Sequence, residues 1–396
     1  MPDRRSHLRR IYLAGALMDY SLYLFMGVLY FFVLGLGGGS SDLGIVSAAG
    51  GACYVLAAIA GGRLSDRVPR LLLTRIGCLS FSFLVLGISL CTEIRSVILL
   101  FTPLGVSMGL FWPPIQARLA DLAAPEGLAD ATGRFNIAWS LGKGFGFFSS
   151  GALIEVFSSL GDDGALRATM AVAAITGALP FLLLRESDPS KEQDAPEESG
   201  SRRRRNGRPY LLAAWISNFA VFGAGAAIVT HHPKWISDMR MEEFQSNAFL
   251  AAVFISQTGA FILWSVYTRW RYRLIEFWVV QAAFGIAVAA LPLYPSFGLT
   301  LLLAPLVGLG LGLTYQASIF YSLDVGVERG RHSGLHEGIL GSGNFLLPLL
   351  GGWAAGTCLG NRAPYLVAAA FVGLGLAVQV AVFWRSWRSK AKIDSP

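Results

Sequence analysis

Three ionisable side chains lie inside stretches that are otherwise almost free of charge: Asp19 in "GALMDYSLYLF", Lys143 in "SLGKGFGFF" and Glu337 in "LHEGILGSGNF". Holding such a group in hydrocarbon costs about 2.5–3.5 kcal/mol on insertion scales, so each is a functional candidate. A carboxylate there can take up and release a proton. A nearby ammonium can favour its ionised form or hold an anionic group. The same acid and base can equally form a static buried pair that only fixes packing. Glu337 stands about one turn into its apolar stretch, where the dipole of a helix start explains a carboxylate; proton release or gating is the alternative. His332 and His336 are four apart, but no cysteine or further carboxylate is placed to complete a ligand set, so no metal is expected. No HExxH, phosphate-binding loop or Ser–His–Asp set occurs in a suitable setting, and neither an enzyme nor a bound cofactor is implied. The glycine string at 308–316 follows no strand and suits close helix packing.

The elements that must hold these groups are helices. Hydrophobic residues make up 54% of the 396-residue chain and charged residues 14%, with a mean hydropathy of +0.54, where soluble domains carry ~25% charged residues. Twelve apolar runs follow one another at 11–36, 42–62, 71–91, 97–120, 131–157, 165–185, 209–231, 246–268, 273–293, 298–323, 333–357 and 363–384. Runs of about 20 residues cross ~30 Å of hydrocarbon as helices, whereas barrel strands need only ~10 residues of alternating polarity. The expected class is an all-α protein of the lipid bilayer with twelve transmembrane helices. Asp19 then lies about 12 Å into span one at 1.5 Å per residue, and Lys143 lies near mid-depth of span five. The first run is too long for the ~7–15-residue core of a cleaved signal and reads as a retained helix.

Charge sets the orientation. With the N-terminus in the cytoplasm, only Arg95, Arg167, Lys234, Arg240 and Arg362 face outward and Lys143 stays in a span; the rest of the 32 Lys and Arg fall in cytoplasmic segments. That asymmetry follows the positive-inside rule and puts both termini in the cytoplasm of a cell-membrane protein. The net charge of +7 is thus a topology signal, and without a basic soluble module no nucleic-acid partner is expected. Cys53, Cys78, Cys91 and Cys358 have no CxxC spacing and read as small buried apolar residues.

A polar stretch rich in Pro, Ser and charge separates spans six and seven, with an arginine run at 202–205 suited to anionic headgroups. It divides the chain into 1–185, a cytoplasmic linker 186–208, and 209–396. The halves resemble each other. A shift of 198 lays residues 12–27 on 210–225, a shift of 203 lays Asp121 on Asp324, and a shift of 201 lays Gly133, Gly142 and Gly151 on Gly334, Gly343 and Gly352. Six spans per half give both copies one orientation, related by an axis along the membrane normal.

Between spans two and three, "GRLSDRVPR" at 62–70 resembles the loop signature of the major facilitator superfamily, roughly Gly-x-Leu-Ala-Asp-Arg-x-Gly-Arg. Gly62, Leu64, Asp66, Arg67 and Arg70 match; Ser65 and Pro69 depart. The resemblance implies a cytoplasmic latch for the outward-open state, with Asp66 near the start of helix eleven and Arg70 reaching Asp121, where Arg118 and Arg134 are near enough to join. A topogenic basic loop is the plainer alternative. The second copy, "TRWRYR" at 268–273, keeps the basic charge without the acid.

The resemblance also implies two six-helix bundles around a central cleft, with spans one and five adjacent, so that Asp19 and Lys143 communicate. Its cleft-facing helices bring Tyr20, Tyr23, Trp112, Gln116, Asn136, Trp139, Asn218, Gln257, Tyr315 and Gln316 toward a small amphipathic substrate. Each aromatic can instead simply pack. Pro113 and Pro114 are expected to bend span four beside the site. "GNFLLPLLGG" in span eleven partly resembles a bend associated with antiporters, although that bend usually lies in span five. The function implied is alternating-access secondary transport of a small organic solute by a monomer, with proton-coupled export first and proton-symport uptake second. A transporter-derived sensor or assembly protein carrying no flux is the alternative from another class.

Overall fold

The computed structural model describes residues 2–123, 127–184, 207–293, 296–325 and 329–393. The polar connection expected at 186–208 falls almost wholly outside them, as do the side chains of Asp324 and His332. The described residues form twelve long helices: α1 (Pro2–Gly35), α2 (Ser40–Leu64), α3 (Arg70–Ser89), α4 (Ile94–Leu122), α5 (Leu128–Val156), α6 (Gly161–Leu183), α7 (Arg208–Asp238), α8 (Glu243–Val266), α9 (Leu274–Ala290), α10 (Phe297–Val325), α11 (Arg329–Ala354) and α12 (Ala363–Ile393). Local signals set several boundaries. Gly37, at φ +86°, makes the turn after α1, and Asp42 Oδ2 accepts the Gly39 N–H at 2.8 Å to open α2.

Nine of the described helices are long and apolar enough to cross a membrane, and α9 is apolar but shorter, at 17 residues. The two remaining helices, α5 and α11, carry Lys143 and Glu337 among glycine and serine. Several helices outrun the apolar runs that announced them. Helix α7 continues past 231 to Asp238 and includes Lys234, expected in a loop, which pairs with Asp238 one turn on. Hydropathy detects the part of a helix in hydrocarbon, while such i,i+4 pairs carry it further. Cys358 also departs from expectation: it is exposed, in the connection after α11, whereas Cys78 and Cys91 are buried.

Packing repeats between the halves. Helix α1 packs on α5 and α6, α2 on α4, and α3 on α4 and α6; likewise α7 packs on α11 and α12, α8 on α10, and α9 on α10 and α12. The halves meet where α2 lies on α11 and α5 on α8. Glycines mark equivalent crossings. A Cβ on Gly105 would strike the Gly50 carbonyl oxygen, and one on Gly308 the Val253 carbonyl oxygen; a shift of 203 relates both pairs. Gly142 meets the Ala16 carbonyl as Gly343 meets that of Phe219. These crossings correct the register of the first helix: α1 maps onto α7 at 203, not 198. Apolar helices match one another at many offsets, and only the contact selects one.

The start of α1, where Arg4 donates to the Leu122 carbonyl, lies at the same face as the end of α4 and the α2–α3 connection, where Arg70 pairs with Asp121. At the opposite face neutral hydrogen bonds join the halves. Ser40 Oγ donates to Asn361 Oδ1 at 2.6 Å, Ser41 Oγ to the Gly352 carbonyl at 3.3 Å, and Asn247 Nδ2 to the Gly27 carbonyl at 3.2 Å. Backbones approach closely there too, since a Cβ on Gly44 would sit 2.8 Å from the Pro348 carbonyl oxygen.

Candidate functional site

A cavity of about 240 Å³ lies between the halves, lined from both. Helix α1 supplies Asp19, Leu22, Tyr23 and Met26, and a shift of 203 gives Phe222, Gly225, Ala226 and Val229 of α7, which also line it. Helix α4 supplies Met108 and Trp112, and α10 supplies their counterparts Leu311 and Tyr315. Helix α5 brings Trp139 and Lys143, answered at a shift of 201 by Leu340 and Asn344 of α11. The same spacing therefore sets out both walls, and the two walls differ in chemistry.

All three ionisable candidates reach this cavity. Asp19 is 4% exposed, Lys143 7% and Glu337 6%. Asp19 and Lys143 form no ion pair within 4.0 Å, which departs from the static-pair reading. The Lys143 ammonium instead lies over three rings, 4.2 Å from the centre of Tyr23, 4.6 Å from Phe254 and 5.3 Å from Trp139. Each distance is within the ~6 Å over which a ring's quadrupole attracts a cation. Among the described residues no hydrogen bond reaches the Asp19 carboxylate.

Glu337 corrects the near-surface reading. Helix α11 begins at Arg329, so this carboxylate lies about two turns in and faces the other half. Tyr54 OH of α2 donates to Oε2 at 2.8 Å, and Gln116 Nε2 of α4 donates to Oε1 at 3.2 Å. Its repeat counterpart, Asn136, instead accepts Trp139 Nε1–H at 3.1 Å inside the first half.

Of the polar and aromatic candidates, Tyr23, Trp112, Gln116, Trp139 and Tyr315 line the cavity. Tyr20, Asn136, Asn218, Gln257 and Gln316 do not. Tyr20 turns to the far side of α1 because 19, 22, 23 and 26 make up the inner face. Asn218 Nδ2 meets His336 Nδ1 at 3.4 Å within the second half, and Ser318 Oγ lies 2.8 Å from the same nitrogen. That occupies one of the two histidines considered for a metal, and no group of three or more potential ligands occurs among the described residues. Gln257 is buried with both amide atoms unpartnered, and Gln316 Nε2 donates to Ser265 Oγ at 3.3 Å. Sequence reasoning passed over Tyr54, Tyr30, Ser47, Thr230 and Phe254. Thr230 Oγ1 lies 3.2 Å from Tyr30 OH and 3.3 Å from Ser47 Oγ, which closes the cavity toward the face away from the termini.

At the start of α3, Arg70 pairs with Asp121, donates to the Ala117 carbonyl at 3.0 Å and lies 3.8 Å from Asp66. Arg134 does not join them; it pairs with Asp130 at 2.9 Å on its own helix, and Arg118 is half-buried. Asp66 is 73% exposed on its side chain, Arg67 is exposed, and a Cβ on Gly62 would meet nothing within 4 Å. Pro113 and Pro114 lie inside α4, which remains helical through them.

The family model of the Major Facilitator Superfamily matches residues 11–326. The chain belongs to that superfamily. Solved structures share the fold of this superfamily member. A bacterial homologue of the human lysosomal transporter Spinster, inward-facing and occupied, is 16% identical with a TM-score of 0.71, covering 98% of this chain and 97% of that one. The nucleoside transporter NupG is 14% identical with a TM-score of 0.70, covering 95% and 99%. A bacterial homologue of the human drug peptide transporters PepT1 and PepT2 is 12% identical with a TM-score of 0.71, covering 97% and 99%. Comparison with curated protein sequences gives no significant match. The superfamily member is thus an integral membrane protein and a secondary transporter rather than an enzyme.

Proposed function

We propose that the protein carries a small organic solute across the cell membrane by alternating access, coupled to protons through Asp19. The observation that carries this is a buried carboxylate facing the cavity with neither an ion partner within 4.0 Å nor a described hydrogen-bond donor. Such a group is open to a proton or to a solute group, and competition between the two is the simplest route to exchange. Proton-driven export is therefore the first reading. Uptake by symport is the second, favoured by a Lys143 ammonium with no carboxylate partner, which can receive an anionic group.

Residues 1–185 and 209–396 act as two rocking bodies tethered by 186–208, in a monomer with both termini in the cytoplasm. Lysine and arginine asymmetry supports that orientation. In it, the neutral hydrogen bonds around Ser40, Thr230 and Asn247 close the outer side. Arg70, Asp66, Asp121 and Glu337 serve the cytoplasmic gate. The test is solute-dependent proton flux in dye-loaded vesicles, screened with amphipathic cations, anions and neutral compounds. Asp19→Asn is expected to insert normally and to lose pH-driven transport by at least about tenfold. Unchanged coupling in that variant rejects the assignment.

A further inference from the structure

The rings that hold the Lys143 ammonium do not all belong to its own half. Tyr23 and Trp139 come from α1 and α5, but Phe254 comes from α8. Phe254 stacks on Phe147 of α5 with centroids 5.5 Å apart and planes 9° from parallel, and Tyr23 lies 5.7 Å from it. The box is thus closed by the packing of α8 on α5, which is one of the two main contacts between the halves. An ammonium without its third ring is less well held, and the unpartnered Asp19 lines the same cavity.

The geometry points to Lys143 as a positioning residue that couples protonation of Asp19 to the arrangement of the two halves: its ammonium sits in the Tyr23–Trp139–Phe254 box while Asp19 carries a proton, and moves to the Asp19 carboxylate when that proton leaves and α8 separates from α5. The inference rests on the reading of Asp19 as the proton site. It accounts for an acid and a base that share a cavity without pairing. Water supplies the proton and receives it back, and Lys143 stays an ammonium throughout. The groups facing Asp19 are few. Lys143 comes from α5, Glu337 from α11, and the phenols of Tyr23 and Tyr30 from α1, Tyr54 from α2 and Tyr315 from α10. Helices α4, α7 and α8 bring only uncharged side chains to the cavity, and α6 brings none. Glu337 is already held by Tyr54 and Gln116, which leaves Asp19 as the carboxylate available to Lys143.

The experiment measures distances between spin labels on the α1–α2 and α11–α12 connections of the full chain in lipid nanodiscs, across pH and without solute. The wild type is expected to move from this arrangement to one with those connections apart as pH rises. Asp19→Asn is expected to remain in this arrangement at every pH. Lys143→Met removes the ammonium and is expected to abolish the pH dependence. Phe254→Leu keeps an apolar side chain but removes the ring, and it is expected to shift the midpoint by about one pH unit, the scale of one buried cation–ring contact. Lys143→Arg and Phe254→Tyr restore a cation and a ring and are expected to return the midpoint to that of the wild type. If Lys143→Met keeps the wild-type profile, or if Phe254→Leu leaves the midpoint unmoved in folded protein, the inference falls. If Asp19→Asn still responds to pH, the proton reading itself falls.

Discussion

The two halves of this transporter use one packing plan and two chemistries. Gly105 and Gly308 make the same crossing, and so do Gly142 and Gly343. On those matched frames Asp19 faces Phe222 across the pseudo-symmetry, and Lys143 faces Asn344. Glu337 answers Asn136, which turns inward to Trp139. A change at a crossing must be accommodated by two backbones at once, whereas a cavity wall only has to remain a wall. Charge could therefore diverge where the glycines could not. The first half holds the free acid, and the second holds a carboxylate whose two oxygens are both engaged by the first.

The largest effect belongs to the shared frame. Gly105→Val and Gly308→Val each drive a branched side chain into a carbonyl that has no room to move, so both are expected to lose most of the folded protein, as read by monodisperse yield and thermal melting. Tolerance of one with loss of the other would break the equivalence of the halves. Next comes relocation of the acid. Phe222→Asp in an Asp19→Asn background puts a carboxylate on the matching wall, at the position where Phe222 packs on Tyr315. It is expected not to restore proton-driven flux, and recovery would make the two walls interchangeable. The smallest effect lies at Glu337. Tyr54→Phe removes one of its two donors, and membrane hydrogen bonds average about 0.6 kcal/mol. A drop of a degree or two in Tm is expected, with Glu337→Gln costing more than Tyr54→Phe because a charged acceptor binds its donors more strongly.

Much of the fold was legible because bilayer thickness acts on sequence directly. Twelve runs of oil are enough for twelve helices, and the 62–70 loop carries the family likeness. Charged residues in apolar runs stand out for the same energetic reason, which is why Asp19, Lys143 and Glu337 could be nominated. Rotation about a helix axis leaves a weaker trace. Tyr20 and Tyr23 are equally aromatic and three residues apart, yet only Tyr23 lines the cavity. Gln116 and Gln316 resemble each other in sequence, but a shift of 203 pairs Gln316 with Pro113, and its amide turns to Ser265.

The sequence by itself determined that this chain lives in a membrane, spans it with helices, repeats itself and carries a few charges that hydrocarbon would not keep for nothing. These follow from the transfer free energy of each segment, which depends on composition and length alone. Only the tertiary structure decided that Lys143 rests on rings from both halves, that Asp19 stays unpaired, and that Glu337 reaches across to Tyr54 and Gln116. Those outcomes depend on the helix faces that meet at the crossings, a property of pairs of segments that no single segment encodes.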